Sequence, residues 1–133
     1  MSSNLIHVAA PDGVAPGNGY SHVVWGEGRF IAVSGQIAVD EHGAVVGEND
    51  PAAQARQVFE NLRRCLAEAG ATFDDVVKLT FFVTDFGFMQ AVRDARDAVI
   101  DTSRPPASSA VQVAGLVRPE LLLEVEAFAI LRS

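Results

Sequence analysis

The sequence predicts a single α+β domain: an antiparallel start, then strands alternating with two helices, packed into a sheet that has helices on one face only. Three observations predict it. Turn-separated apolar runs fill the first third. Two stretches further on repeat their apolar residues at helical spacing. The last long strand carries large apolar residues on both of its faces. With 133 residues the chain is one domain's worth of material, residues 1–133 with no dividing linker, and long enough to bury one real core.

In order along the chain, Val23 to Val33 reads VVWGEGRFIAV. Two apolar runs flank Gly-Glu-Gly, which predicts a hairpin with glycine supplying positive φ. Asp40 to Gly43, DEHG, predicts a second turn beside a short strand. The clearest element is NDPAAQARQVFENLRRCLAEAG. Asp50 can cap a helix, Pro51 suits its first position, and Gly70 can end it. Ala55, Val58, Phe59, Leu62, Cys65, Leu66 and Ala69 make one apolar stripe, with a Glu60–Arg64 pair on the other side. Cys65 lies inside the stripe and is read as a small apolar residue.

Asp75 to Asp85 predicts a strand in which Val77, Leu79, Phe81 and Val83 form a wholly apolar face. A second helix is predicted from Gly87 to Ile100. Phe88, Val92, Ala95 and Val99 form its stripe, and Arg93, Asp94, Arg96 and Asp97 face away from it. After Pro105-Pro106, small residues lead into another strand. The closing strand, ELLLEVEAFAILR, has an all-apolar odd face from Leu121 to Leu131. Its even face mixes Glu124 and Glu126 with Leu122, Phe128 and Ile130.

Two helices of similar size cover only one face of such a sheet. The apolar residues left on the other face predict that a second copy of the chain covers it. Carboxylates at that interface lose water, which raises their pKa and makes Glu124 and Glu126 candidates for proton transfer.

Composition narrows the function classes. The net charge is −7 with no basic run, so nucleic acid is a poor partner. No apolar run reaches the ~20 residues that span a bilayer. The start of the chain does not read as a secretory signal, and with one cysteine no intrachain disulfide can form. A cytosolic location is expected. His7 and His42 lack ligand spacing, so no metal is assigned. His22 stands two residues after Tyr20 and is read as a hydrogen-bonded structural histidine rather than a titrating group in a cleft.

Four stretches, taken in order, carry a resemblance to a known family: GYSHVV (19–24), VSGQIAVD (33–40), AAQARQVFENLRRCLAEAGATFDDVVKLTFFVTD (52–85), and PPASSAVQVAGL followed by LEVEAFAI. The chain resembles the RidA/YjgF family along nearly its whole length. That resemblance implies a chorismate-mutase-like α+β fold and a homotrimer whose sheets form a central barrel, with a ligand cleft between each pair of subunits. It implies hydrolysis of small enamines or imines to a carbonyl compound and ammonia, without metal or organic cofactor. Some relatives are also credited with RNA cleavage, which the acidic balance disfavours here. Carried over residue by residue, it places Tyr20, Ser34 and Gly35 in the cleft, with Glu124 holding the attacking water and Glu126 as the alternative across a one-residue shift. It also places a backbone donor at Ala110.

The family arginine that grips a substrate carboxylate is expected two residues after Pro106. Here that position holds Ser108. One neutral hydroxyl replaces a bidentate cation, so a substrate different from 2-aminoacrylate, or a binding role without catalysis, is expected. Arg93 either reaches the cleft to supply the missing charge or pairs with Asp97 one turn on. Arg104 is a second substitute, or else decorates a helix end.

Overall fold

A computed structural model describes residues 4–132. Its elements in order are β1 (Ile6–Val8), β2 (Val23–Trp25), β3 (Arg29–Gln36), α1 (Pro51–Glu68), β4 (Val76–Val83), α2 (Met89–Asp97), β5 (Ala107–Gln112) and β6 (Leu123–Leu131), with single 3-10 turns at Phe73–Asp75 and Phe86–Phe88. The main sheet runs β3-β6-β4-β5. β6 is antiparallel to both of its neighbours, and β4 is parallel to β5. This is the two-helix, mixed-sheet α+β architecture that was expected.

α1 forms for the reasons legible in its sequence. The Asp50 carboxylate accepts from the Ala53 N–H at 3.1 Å, and Pro51 opens the first turn. Gly70 stops it at φ +81°, where the Ala71 N–H bonds back to the Leu66 carbonyl. Ala55, Val58, Phe59, Leu62 and Leu66 are buried against the sheet. Each large one contributes about 1.5–3 kcal/mol of apolar burial. Cys65 is only half-buried at the edge of that stripe. Gln54 is the polar exception in this core. Its amide donates to the Gly47 and Glu120 carbonyls and accepts from the Leu122 N–H, tying α1 to the start of β6.

On β6 the odd residues Leu123, Val125, Ala127 and Ala129 are fully buried under the helices, while the even residues are half-buried on the opposite face. That opposite face keeps Phe30 at 63% exposure, stacked on Phe128 with ring centres 5.7 Å apart. The sheet is therefore covered on one side only, as the residue pattern required.

Several expectations are corrected. Val23 to Val33 is not a hairpin: β2 pairs with β1, and β3 pairs with β6. Gly28, at φ +149°, instead lets the Leu131 backbone approach so closely that no Cβ would fit. β1 itself was not anticipated. Val76, not Val77, is buried, because a bulge between Val76 and Lys78 flips the alternation at the start of β4. α2 is shorter than predicted and ends at Asp97, which leaves Val99 exposed. Arg96, expected to face away, is buried.

Candidate functional site

The structure distributes the sequence-predicted residues into two groups. The first gathers around a cleft of about 340 Å³ lined by Tyr20, Arg93, Ser108 and Ala110, together with Asn18 and Arg96. Ser108 and Ala110 reach it because β5 runs parallel to β4 with Ser108 opposite Leu79 and Ala110 opposite Phe81. Register partners share a face, and Leu79 and Phe81 are buried on the helix side. This cleft therefore opens at the β5 edge of the sheet, on the side of α2.

Tyr20 is held there from several directions. Its ring packs so tightly on Gly17 that a Cβ on that residue would overlap it, and it meets His22 edge-on at 5.3 Å. His22 bonds the Ala15 carbonyl at 2.7 Å, in keeping with a structural histidine. The buried Ser21 hydroxyl donates to the Pro105 carbonyl at 2.6 Å, and the Ser21 N–H donates to Pro106 at 3.1 Å. The loop before β2 is thus fastened to the turn that leads into β5, so Tyr20 and Ser108 come from segments that are bonded together.

The second group lies on the other face. The β3 register slips by one residue between Val33 and Gln36, so Ser34 and Gly35 form a bulge opposite β6. The Glu124 carboxyl lies over Gly35: a Cβ there would stand 2.7 Å from its carboxyl carbon. Only glycine leaves that seat open. Partial burial, and then the neighbouring charge of Glu126, raises the pKa of Glu124 above the usual carboxylate range. Of the two carboxylates on this face, Glu124 is the one seated in the bulge. Since Glu124 stands opposite Phe82 in β4, it faces away from the Ser108 cleft.

Among the arginines, the positions separate clearly. Arg104 donates to the Leu5 carbonyl at 2.7 Å and lines a different, smaller cavity with His7 and Asp101. The Arg93–Asp97 pair does not form among the described residues: Asp97 accepts instead from Arg96 Nε at 2.8 Å. Arg93 is exposed at the mouth of the cleft. Arg96 is the charged lining residue that sequence reasoning passed over, along with Asn18, Phe81, Met89 and Ser109. The signal was present, since Arg96 stands one turn after Val92 and so falls on the flank of the buried stripe.

Known proteins resemble this chain in sequence and in fold. The family-sequence model described as Endoribonuclease L-PSP matches residues 10–131. The chain is 35% identical over 133 residues to a RutC family protein of Synechocystis sp., covering 98% of each. It is 36% identical over 132 residues to the protein DfrA of Myxococcus xanthus, covering 98% of this chain and 97% of that one. Among solved structures, the Rid family protein YyfB of Yersinia pestis superposes with a TM-score of 0.86 at 36% identity, over 97% of this chain and 100% of that one. RidA from an Antarctic Psychrobacter sp. gives a TM-score of 0.71 at 31% identity, over 92% and 94%. A match over most of the chain in sequence, and over its whole architecture in space, places the chain in the Rid/YjgF family.

Proposed function

We propose that the protein hydrolyses a small enamine or imine to a carbonyl compound and ammonia, in clefts completed by a second copy of the chain. The observation that carries this reading is the seat of Glu124. A carboxyl of raised proton affinity lies half-buried on a glycine bulge, on an apolar sheet face that has no cover within one chain. Such a group can hold a water, take a proton as that water attacks a C=N carbon, and return it to the departing nitrogen. The atoms balance: an enamine first becomes the imine by moving a proton from nitrogen to carbon, water then adds across C=N, and the resulting carbinolamine expels ammonia to leave the carbonyl.

A homotrimer is the assembly implied by family membership. It gives the two half-sites a reason to lie on opposite faces of one sheet. The β5 edge of one subunit, carrying Tyr20, Arg93, Ser108 and the Ala110 backbone, would meet the Glu124 bulge of the next, with Ser34 and Gly35 beside the ligand. No metal or organic cofactor takes part in this chemistry.

Ser108 supports a second reading, a trimer that binds a small metabolite without turning it over, because the hydroxyl cannot replace a bidentate carboxylate grip. Cleavage of RNA is a weaker alternative, disfavoured by the net charge of −7.

The test is ammonia release from imines generated in situ by an amino-acid oxidase. Turnover that disappears in Glu124→Gln supports hydrolysis. A rate no greater than buffer across a broad imine panel supports the binding reading.

A further inference from the structure

The same cleft contains a cation that neither the family pattern nor the apolar stripe of α2 assigns to it. Arg96 is 5% exposed. Its Nε edge is satisfied by Asp97, whose own carboxylate is 46% exposed. The two terminal nitrogens carry four further N–H donors, and among the described residues no acceptor bonds to them. Nη2 points at Gly19, where a Cβ would stand only 2.9 Å away. The missing side chain at Gly19 therefore opens the path by which the guanidinium meets the cleft between Tyr20 and Ser108.

The terminal nitrogens are not among the described buried polar atoms left without a partner, so they open on the cleft, where water or an anion can complete their bonding. Arg93 stands one turn earlier on the same cleft, with no ion pair among the described residues. Like charges one turn apart repel in the absence of an anion. In a chain of net charge −7, these two arginines form a local inversion of sign.

We infer that Arg96 is the anion receptor of the cleft, and that its ligand is a small carboxylic acid or a carboxylate-bearing imine. This rests on the reading of the cleft as the ligand site. The two terminal nitrogens present a planar fork that matches a carboxylate. The cleft lining holds two arginines and no carboxylate, and Asp97 offsets one of the two from outside it, which suits a singly charged carboxylate better than a phosphate dianion. The grip then comes from α2, from the opposite side to Ser108, so the bound acid is turned relative to a clamp placed at position 108.

Titration calorimetry with pyruvate and, separately, inorganic phosphate tests this on the full chain and on Arg96→Gln, Arg93→Gln and Asp97→Asn. Pyruvate is expected to bind, and to bind more tightly than phosphate. Arg96→Gln should weaken it about tenfold or more, the loss of a bidentate charge-assisted pair. Arg93→Gln should weaken it less. Asp97→Asn should tighten it, because removing the competing charge frees the guanidinium, an effect that a purely structural arginine would not show.

Unchanged affinity in a folded Arg96→Gln overturns the inference, as does the absence of saturable pyruvate binding to the natural chain at millimolar concentrations. Should Arg96→Gln fail to fold, unchanged pyruvate affinity in both Arg93→Gln and Asp97→Asn overturns it equally. Its failure is distinct from failure of the hydrolytic reading. Pyruvate binding that depends on Arg96, with no imine turned over, leaves the receptor standing alone. Turnover of an uncharged imine, lost in Glu124→Gln and untouched in Arg96→Gln, leaves hydrolysis standing alone.

Discussion

Glu124 and Gly35 act as a pair: the acid has a seat only because the glycine has no side chain. Gly35→Ala would place a methyl group 2.7 Å from the carboxyl carbon, and the acid would have to move. A displacement of about 1 Å costs on the order of a hundredfold in rate, so imine turnover should fall by about that much while the circular dichroism spectrum is retained. The raised pKa of Glu124 has a thermodynamic signature as well. Its native form holds the proton more tightly than the unfolded chain does, because burial and then Glu126 disfavour the charge. The contribution of Glu124 to native stability is therefore fully present below its unfolded pKa and is lost as pH rises through the higher native value. Glu124→Gln removes that decline. Melting curves from pH 4 to pH 7 should show the variant gaining on the natural protein as pH rises. A constant difference across that range would show that the carboxyl is not destabilised by its site. Glu60 behaves oppositely. Arg63 and then Arg64 hold its pKa down to about 2, so its contribution is present at neutral pH and disappears only in strong acid.

α1 is the element that sets the geometry of the rest, and its ends can be tested separately. Asp50→Ala removes the cap on the Ala53 N–H and should cost about 1 kcal/mol in urea unfolding. Gly70→Ala forces a side chain into φ +81°, with a cost of about 1–2 kcal/mol by the same measurement. Gln54 links this helix to β6 through three hydrogen bonds in a fully buried setting. Gln54→Leu keeps the volume but strands the Glu120 carbonyl and the Leu122 N–H, while the Gly47 carbonyl still accepts from the Asp50 N–H, at a cost of about 1–3 kcal/mol for each group left unpaired. That variant should therefore be among the most destabilised single substitutions in the protein. An unfolding midpoint equal to the natural one would show that β6 does not depend on that bridge.

Across the whole molecule, the sheet is half covered. Helices bury one face, while Phe30, Phe128 and Ile130 occupy the other beside Glu124 and Glu126. A face of that composition is expected to be buried against further copies, as the proposed trimer requires. Light scattering should report three chains per particle. Phe30→Glu, a charge at the most exposed aromatic, should release monomers and abolish turnover, although every cleft residue remains present in each copy. Turnover that persists in the monomer would show that one chain holds a complete site and would remove the reason given for the separation of the two half-sites.

The sequence by itself determined whatever depends on neighbours a few residues apart. The α1 stripe, its Asp50 cap and Gly70 stop, and the alternation that begins at Leu121 and runs through β6 all follow from 3.6-residue or two-residue periods and local backbone preference. The resemblance of four ordered stretches gave the fold family for the same reason, since those stretches preserve local pattern. What only the tertiary structure decided depends on which distant segments meet. The strands on either side of Gly26 look like a hairpin, yet β3 takes β6 as its partner, because the buried face of β6 needs a neighbour and Gly28 admits the Leu131 backbone. The burial of Arg96 is of the same kind. Its position one turn after Val92 put it on the flank of the stripe, but a charged side chain at a flank normally reaches water. Whether it reaches water or a cleft is set by the Gly19–Tyr20 loop, which the Ser21 bonds to Pro105 and Pro106 hold over the end of α2. No local pattern contains that contact, because its free energy arises only when the two ends of the chain come together.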